Sequence, residues 1–416
     1  MKKEYRSGIA ALLAVFAYAS SLAQTLEVGE GCQYRTISSA IAAIPQPNTN
    51  AVRIVVKPGV YRETVEIPRY VDNVQIVAAH PHSVRIVSDR NSQNTPQGVQ
   101  QAALMVGGDG FSAVGLDIQN ISGLASVQTR SKAMDKTTAL QVYGDRAIFR
   151  DCSFYGHKGV LYLHGRNGKN SRAAFDKCLI EGASDVVYGG MVALFERCTI
   201  RSLYRGALTM PSTDKNQPFG FVFTDCTIIA EEGNSCVLAR PWRPYAKSVF
   251  VRPYLDKGMN PSLWLIRGEP GSDGYDTSWF GIVAPHGPAA GSIRKLEWCH
   301  YGEDEWSAYL REHGCESERD ILKGDDGWAS EYEGADSSMP PPFIEETKAN
   351  QQFIVRILKD SANKPYWLRV VSLKGGIYRF TNDARFASEA FRVKDGVTEF
   401  DTRRGVTYDF ERMNAE

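Results

Sequence analysis

The chain has 416 residues, enough for one large domain or two domains of ordinary size. Hydrophobic residues make up 43% and charged residues 23%, a balance typical of a soluble globular protein. The 48 basic and 48 acidic side chains cancel, which excludes an overall charge that attracts nucleic acid or an anionic membrane.

Residues 1–23 have the pattern of a secretory signal peptide. Lys2, Lys3 and Arg6 are positive, and an apolar run follows at residues 9–19. This run is too short to span a bilayer as a stable anchor. The small residues that end at Ala23 suit signal peptidase. We therefore predict a secreted or periplasmic protein with a cleaved signal peptide and no membrane span.

Residues 25–45 predict a short strand, a glycine-rich turn and an amphipathic helix. Prolines at 45 and 47 are expected to stop this helix. Its apolar positions follow the spacing of one helix face: Ile37, Ala40, Ile41 and Ile44. The helix either caps a larger sheet structure or lies on the surface, and the fold prediction takes it as a short N-terminal cap.

Short β-branched runs at residues 52–56, 60–67 and 74–77 predict strands about ten residues apart. Glycine, proline and asparagine separate them. Regular spacing of this kind predicts a sandwich, a barrel or a solenoid.

An internal repeat decides between these folds. Residues 147–156, 173–182, 193–200 and 221–228 share the pattern apolar-x-Phe-x-x-Cys-x-apolar, and an earlier copy has Leu116 in the cysteine position. The positions 116, 152, 178, 198 and 226 are 36, 26, 20 and 28 residues apart. Short strands at such periods, without a helical pattern, predict an all-β chain folded as a parallel β-helix.

The repeat predicts two inward ladders, because equivalent positions of a solenoid stack at about the strand spacing of 4.8 Å. One ladder is made of Phe149, Phe175, Phe195 and Phe223, and the other of Cys152, Cys178, Cys198 and Cys226. We interpret these cysteines as small buried hydrophobic residues and expect no metal, since no histidine shares the pattern. Cys299 and Cys315 lie outside the ladder and are the better disulfide candidates.

The later chain adds strands at residues 248–251 and 264–266, a long loop at 268–291 and a helix within 304–322. The prolines that end at Pro342 close the best linker in the chain. We divide the chain into a signal peptide at 1–23, a β-helix domain at 24–328, a linker at 329–342 and a small β-rich C-terminal region at 343–416.

Three local stretches carry polar residues suited to chemistry: 156–162, 182–189 and 238–245. Asp185 lies seven residues after Cys178, and Gly159 lies seven residues after Cys152. The equal offset predicts that residues 159 and 185 lie one above the other on adjacent coils.

At these stretches the chain resembles the pectinesterases, carbohydrate esterases that remove methyl groups from pectin, over roughly residues 25–330. Four motifs carry the resemblance in the family's order. The first, 58–63, resembles Gly-x-Tyr-x-Glu, and 182–189 resembles Gly-x-x-Asp-Phe-Ile-Phe-Gly. Residues 238–242 resemble Leu-Gly-Arg-Pro-Trp, and 286–290 resemble a late Gly-Pro-Gly-Ala motif. The family fold is a right-handed parallel β-helix.

The resemblance implies an esterase that uses two aspartates and no cofactor. Asp185 matches the nucleophile, and Arg240 matches the arginine that orients it. Trp242 matches the aromatic residue that stacks on sugar. Tyr162 matches the tyrosine of the Gln-Asp-Thr-Leu-Tyr segment, and we place it in the substrate site as well.

Three of the five catalytic positions differ from the family. Gly159 stands at the acid–base aspartate, and Lys158 and Lys136 stand at the two glutamines that stabilise the oxyanion. In one hypothesis both lysines form salt bridges with Asp185 and hold it as an ion, which supplies no proton for the leaving group. In the other, a lysine whose pKa is shifted toward neutral replaces the acid.

The predicted function is a pectinesterase-like carbohydrate esterase that acts on or binds methyl-esterified polygalacturonate, with reduced or altered activity. The alternatives are a non-catalytic glycan-binding protein on the esterase scaffold and an esterase or thioesterase of changed substrate. The expected partner is an acidic polysaccharide, which the added lysines suit, and we expect a monomer.

Structural interpretations compete with these roles. One interpretation takes Asp185 as a buried aspartate satisfied by Arg240, and another takes Trp242 as a core residue. We interpret Tyr61 and Glu63 as structural rather than catalytic. The family usually has an aromatic residue or histidine at position 157, so we do not assign His157 as the general acid.

Overall fold

The computed structural model describes residues 24–91, 95, 101–122, 136–166, 171–230, 235–265 and 277–328, together with the backbone of seven short strands between 343 and 412. The signal peptide predicted at 1–23 and the linker predicted at 329–342 lie outside the described residues. In the described part of the chain, no helix has the length and apolar character needed to cross a bilayer.

Three parallel sheets of ten, eight and seven strands run the length of the main body. Neighbours in each sheet come from successive turns of the chain, so each coil adds one strand to each sheet. The chain is a right-handed parallel β-helix, which confirms the predicted fold.

Sheet I has ten strands: β1 (Gln24–Val28), β2 (Val52–Val56), β5 (Val74–Ala78), β8 (Ser112–Val114), β11 (Ala147–Arg150), β14 (Arg172–Asp176), β17 (Val192–Glu196), β20 (Phe221–Thr224), β23 (Lys247–Val251) and β25 (Trp279–Val283). Sheet II has eight: β3 (Gly59–Arg62), β6 (Val84–Ser88), β9 (Leu116–Asn120), β12 (Ser153–Tyr155), β15 (Leu179–Gly182), β18 (Thr199–Ser202), β21 (Thr227–Ala230) and β24 (Tyr254–Leu255). Sheet III has seven: β4 (Val65–Ile67), β7 (Leu104–Val106), β10 (Leu140–Val142), β13 (Leu161–Leu163), β16 (Val187–Gly189), β19 (Ala207–Pro211) and β22 (Val237–Ala239).

The predicted phenylalanine ladder fills the core behind sheet I. Its rings are paired in register and stacked nearly parallel, with centroids 4.4 to 4.8 Å apart, and Phe250 extends the ladder by one coil. Stacking at this distance follows from the strand spacing of a parallel sheet, which repeats the same side chain every coil.

The cysteine ladder lies at the turn from sheet I to sheet II, and its thiols are free and buried. The Cys178 thiol donates to the Phe149 carbonyl oxygen at 3.4 Å, and Cys198 and Cys226 repeat the contact one coil on. The residue before each ladder cysteine has a φ of 49° to 54°. A glycine, Gly115, takes this place with φ 70° in the earlier coil.

The disulfide prediction for Cys299 and Cys315 is wrong, since both are free thiols in the structure. Cys299 belongs to the solenoid core. Cys315 packs in a separate cluster with Trp306 and Ile321, on the outer side of sheet I. The two cysteines have similar burial but different surroundings, which spacing in the sequence does not reveal.

Helix α1 (Ile37–Ala42) contacts β1, β2 and β4 at the start of the solenoid. The carboxylate of Glu63 accepts from the backbone N–H groups of Ile37 and Ser38, both at 2.9 Å. The Tyr61 hydroxyl donates to the Lys57 carbonyl oxygen at 2.8 Å. Glu63 thus caps the helix N-terminus and Tyr61 closes a turn, as the structural interpretation expects.

Two expectations for the later chain are wrong. The predicted loop at 268–291 contains β25, which pairs with β23 over five residues. The strand predicted at 264–266 is reduced to one bridge between Trp264 and Ala239 within the described residues. Beyond them come α2 (Glu303–Glu312) and two 3₁₀ helices, Ala290–Ser292 and Glu318–Leu322.

The described strands of the C-terminal region form two antiparallel sheets. One contains β26 (Phe343–Glu346), β27 (Phe353–Ile357), β28 (Tyr366–Ser372) and β31 (Val397–Thr402). The other contains β29 (Gly376–Phe380), β30 (Ala390–Val393) and β32 (Phe410–Arg412). Their strand content agrees with the β-rich character predicted for this region.

Candidate active site

Asp185 lies in the turn between β15 and β16, where its φ is 50° and its exposed fraction is 3%. Its backbone N–H donates to the Ala207 carbonyl oxygen at 2.7 Å. Arg240, just after β22, reaches back with Nε and one terminal nitrogen, each 2.8 Å from a different carboxylate oxygen. This bidentate, charge-assisted pair fixes the orientation of the carboxylate.

Gly159 is the residue paired with Asp185 on the preceding coil. The backbone of Lys158 forms a parallel β-bridge with Ser184, and the Gly159 N–H donates to the Ser184 carbonyl oxygen at 3.1 Å. Leu161 then pairs with Val187, so the register continues into sheet III. The stacking of residues 159 and 185 predicted from their equal offset is therefore what the backbone shows.

Tyr188 fills the space that a side chain at position 159 would need. Gly159 has φ +67°, and a Cβ on it would lie 2.9 Å from Cε1 of Tyr188. The Tyr188 hydroxyl continues past Gly159 to Thr138, with 3.3 Å between the two hydroxyl oxygens. Burial raises the pKa of Tyr188, so its phenol stays protonated at neutral pH.

The sequence analysis did not assign a role to Tyr188. The available signal was its place in the nucleophile motif, where the family pattern has phenylalanine and this chain has tyrosine, which adds a hydroxyl group. The consequence of that hydroxyl depends on Thr138, two coils away, and no spacing rule connects the two residues.

Lys136 is an exposed residue whose ammonium lies in an open aromatic cage made of Tyr162, Tyr188 and Trp242. Its ammonium nitrogen is 4.6 Å from the Tyr188 ring centroid, 5.3 Å from Trp242 and 5.9 Å from Tyr162. Burial and the charge of Lys158 lower the pKa of Lys136, while Asp185 opposes the shift. The cage holds a cation by its ring faces, which attract positive charge.

The salt bridges of the first lysine hypothesis are not formed in the structure. Among the described residues, the ion pair of Asp185 is made by Arg240. The backbone N–H of Lys158 donates to Thr137 Oγ1 at 3.1 Å, which fixes the chain at the lysine. Both lysines are thus placed near Asp185 without pairing with it.

Trp242 and Tyr162 are partly exposed and line one aromatic strip on the outer face of sheet III, so Trp242 is not a core residue. Tyr162 stacks on Tyr188 with centroids 4.5 Å apart, and Trp242 lies 6.4 Å from Tyr162. Tyr143 and His164 continue the strip beyond Tyr162 at centroid distances of 6.3 and 5.3 Å. Such a strip offers flat apolar faces with polar edges to a sugar chain.

A cavity of about 590 Å³ opens along this strip, on the side toward the N-terminus. Tyr143, Tyr162 and His164 line it together with Arg69 and Arg166. Arg166 is held in place by Asp109 and by the Gly107 carbonyl oxygen, at 3.2 and 2.6 Å. The cavity lining carries both signs of charge, since Glu66 also lines it and Asp109 pairs with Arg166. The Arg69 and Arg166 guanidinium groups are the groups there that can contact an anion.

His157 is buried beside the site. Burial and the charge of Lys158 lower its pKa to about 4, so the imidazole is neutral at neutral pH. No three histidine, cysteine, aspartate or glutamate side chains in the described part of the chain converge as metal ligands do. What the site offers chemically is an oriented carboxylate beside an ammonium group.

The Pectinesterase family model matches residues 25–310. A pectinesterase of Petunia integrifolia is 25% identical over 64% of this chain and 71% of its own length. Pectinesterase 2.2 of Solanum lycopersicum is 27% identical over 65% of this chain, which spans only 48% of that relative.

Solved structures show the same fold. The pectin methylesterase from carrot has a TM-score of 0.60 at 24% identity, covering 70% of this chain and 92% of that one. PemA from Erwinia chrysanthemi has a TM-score of 0.59 at 24% identity, covering 72% and 97%. A pectin methylesterase in complex with a hexasaccharide has a TM-score of 0.59 at 23% identity, covering 72% and 97%. The family match spans most of the β-helix and includes Asp185 and Arg240, so the chain belongs to the pectinesterase family, a family of carboxylic ester hydrolases.

Proposed function

We propose that the chain binds methyl-esterified polygalacturonate along the outer face of sheet III and hydrolyses its methyl esters slowly, with Asp185 as the nucleophile. The observation that carries this proposal is the buried Asp185 carboxylate, oriented by a bidentate Arg240 beside a groove lined with aromatic residues. A carboxylate held in this way is ready to attack without first reorganising.

In the proposed reaction, an Asp185 carboxylate oxygen attacks the carbonyl carbon of the ester. The bond to methoxide breaks, methoxide takes one proton from a donor other than residue 159 and leaves as methanol, and an acyl-enzyme anhydride remains. Water then hydrolyses the anhydride and releases the Asp185 carboxylate. No side chain at Gly159 supplies the proton for methoxide. General acid–base catalysis contributes about 10² to 10⁴-fold to such rates, so without an aspartate at this position we expect turnover below that of relatives that have one.

Several features support a polyuronate as the substrate. Tyr162 and Trp242 offer stacking faces, and Arg69 and Arg166 line the adjoining cavity together with Glu66. A protein of the same fold has been crystallised with a hexasaccharide.

We further propose that the protein is exported through residues 1–23 and acts on extracellular pectin as a monomer.

The test compares methanol release from methyl-esterified pectin between the wild type and Asp185→Asn. Asparagine tolerates the left-handed backbone of position 185 but cannot act as the nucleophile. We expect the variant to lose all methanol release above the rate without enzyme.

Asp225→Asn is the matched control for this experiment. Asp225 also has a positive φ, 53°, and a bidentate arginine, Arg252, at 2.8 and 3.0 Å, but it lies at the turn between sheets I and II. It should keep wild-type activity. Equal methanol release by the wild type and Asp185→Asn would end the esterase proposal.

The second candidate is a non-catalytic glycan-binding protein. The observation that favours it is Tyr188, which fills the place of the acid–base side chain while two lysines add positive charge. Saturable binding of de-esterified polygalacturonate, together with methanol release no faster than by Asp185→Asn, would select this function.

A further inference from the structure

The Lys136 ammonium lies against the same ring that excludes a side chain at position 159. The Tyr188 ring is 2.9 Å from the place of a Gly159 Cβ, and Lys136 Nζ is 4.6 Å from the centroid of that ring. Gly159 pairs with Asp185 on the next coil. The Lys136 ammonium, which comes from the preceding coil, thus lies near position 159, where the family pattern has the acid–base aspartate.

We propose that Lys136 donates the proton to the leaving alkoxide and later accepts a proton from the attacking water, in place of the missing carboxylate. This inference rests on the proposed ester hydrolysis at Asp185. Lys136 stands where the family pattern has a glutamine. In this proposal it takes the role that the pattern gives to an aspartate.

The other nearby groups are less suited to this role. Tyr188 is committed to Thr138 and is 2% exposed, and burial raises its pKa, so its phenol is a weak acid. His157 is 3% exposed, and its pKa near 4 leaves the imidazole without the extra proton at neutral pH. Lys136 carries a proton to give and faces the aromatic strip where the sugar is expected to lie.

The surroundings of Lys136 allow its amine to lose and regain that proton. Burial lowers its pKa most, Lys158 lowers it further, and Asp185 raises it. The three rings of the cage attract the ammonium and oppose its deprotonation. Among the described residues, Lys158 and Asp185 act on Lys136 by their charge, and Tyr162 and Tyr188 contact its ammonium with their rings. Arg240 and Arg243 lie one contact further away, since Arg240 binds Asp185 and Arg243 lies over the Trp242 ring at 5.6 Å.

The proposed steps balance. Asp185 forms a bond to the carbonyl carbon, the bond to the alkoxide breaks, and the Lys136 ammonium gives one proton to the alkoxide, which leaves as an alcohol. The neutral amine then takes a proton from water as the water oxygen bonds to the acyl carbon. Asp185 leaves as a carboxylate, and Lys136 is again an ammonium.

The test uses two esters of the same oligogalacturonate, methyl and 2,2,2-trifluoroethyl. Trifluoroethoxide leaves without prior protonation, because it is a much weaker base than methoxide. Lys136→Arg keeps the charge and the ring contacts but cannot lose its proton at neutral pH. We expect this variant to lower kcat/KM for the methyl ester by about 10² to 10⁴-fold and to lower it far less for the trifluoroethyl ester.

The pH profile gives a second readout. The wild-type kcat/KM for the methyl ester should fall on the alkaline side, as the Lys136 ammonium loses its proton in the free enzyme. Lys136→Arg should lose this alkaline limb. Lys295→Arg, another lysine over a tyrosine ring at 5.6 Å, is the control and should match the wild type with both esters.

Each other outcome overturns the proposal in a distinct way. Equal losses with both esters would show that Lys136 only positions the site. Unchanged rates in Lys136→Arg, with full dependence on Asp185, would refute the role of Lys136 and leave the esterase proposal standing. If Asp185→Asn also releases methanol at the wild-type rate, the proposed function itself has failed.

Discussion

Gly159 and Tyr188 depend on each other at the level of single residues. A Cβ at position 159 meets the Tyr188 ring at 2.9 Å, and the Tyr188 hydroxyl is tied to Thr138. The absence of an acid at 159 is therefore not an isolated loss that one substitution repairs. The ring must also be released from Thr138 before a carboxylate can enter.

Gly159→Asp alone should not raise methanol release, and it should destabilise the protein by about 1 to 3 kcal/mol because of backbone strain and crowding. Gly159→Asp combined with Tyr188→Phe should release methanol at least about 10-fold faster than the wild type, since a second carboxylate can then act as the acid. Methanol assays and urea unfolding measure the two effects. Tyr188→Phe alone is the control, and equal activity in the single and double variants would contradict this coupling.

The Asp185–Arg240 pair also makes a prediction at the residue scale. Arg240→Lys keeps the positive charge but loses the bidentate geometry that orients the carboxylate. We expect kcat for the methyl ester to fall by about 10-fold or more, with KM changing less. A fall confined to KM would mean that Arg240 contacts the substrate rather than orienting Asp185.

At the scale of elements, the sheets are joined by turns whose backbone enters the left-handed region before each ladder cysteine. The turn leaves Phe and Cys side chains pointing into the core at the same height on successive coils. The phenylalanine ladder continues without a break from Phe149 to Phe250, and the cysteine ladder runs from Cys152 to Cys226. These stacks hold adjacent coils in register and so place Asp185 opposite residue 159.

Phe195→Ala should destabilise the protein by about 3 to 5 kcal/mol, because it removes a fully buried ring with stacked neighbours on both sides. Tyr70→Ala is the surface control, since Tyr70 is 64% exposed, and it should change stability by less than about 0.5 kcal/mol. Urea unfolding measures both. A cost near that of the control would mean that the ladder does not support the solenoid.

Glu63 tests whether a residue of the family motif at 58–63 is structural or catalytic. Its carboxylate binds the N-terminus of helix α1. Glu63→Ala should cost about 0.5 to 2 kcal/mol through the lost helix cap and leave kcat/KM for the methyl ester unchanged. Loss of activity at unchanged stability would instead place Glu63 in the catalytic machinery.

On the scale of the whole molecule, the segment after the solenoid returns to cover the outer face of sheet I. Trp306 and Leu310 pack with the outward side chains of this sheet. Arg172 of β14 binds Asp145 at 2.6 Å and Asp326 at 2.7 Å, and it also donates to the Leu322 carbonyl oxygen at 3.0 Å. One buried arginine therefore ties the end of this segment to the middle of the β-helix.

The stability that the Arg172–Asp326 ion pair supplies should depend on pH. The Arg172 guanidinium, helped by Arg146, holds the pKa of Asp326 well below its usual value of 3.8. A lowered folded-state pKa means that the stabilisation is complete above about pH 4 and is lost as the pH falls below it. Urea midpoints of the wild type should decline over this window, while Arg172→Met, already less stable at pH 6, should decline less. Parallel curves would assign the acid sensitivity to other groups.

The sequence by itself determined the fold class and the stacking of residue 185 over residue 159. Both follow from local order: a repeated Phe–Cys pattern requires stacked coils, and the offset from the ladder places residue 185 over residue 159. The same repeat does not predict strand β25 (Trp279–Val283), because the surrounding glycines and prolines are typical of a loop. Its partner, β23, becomes known only when the coils are stacked. Contacts between coils follow from distance in space rather than from spacing in sequence.

The tertiary structure alone decided where the side chains at and around the replaced positions lie. It placed Tyr188 over Gly159, set the ammonium of the exposed Lys136 against three rings, and left Asp185 paired with Arg240 rather than with the lysines. It also separated Cys299 from Cys315. The physical reason is that side-chain packing across coils depends on rotamers, on ring volumes and on the space a missing Cβ leaves, and a one-dimensional pattern contains none of these.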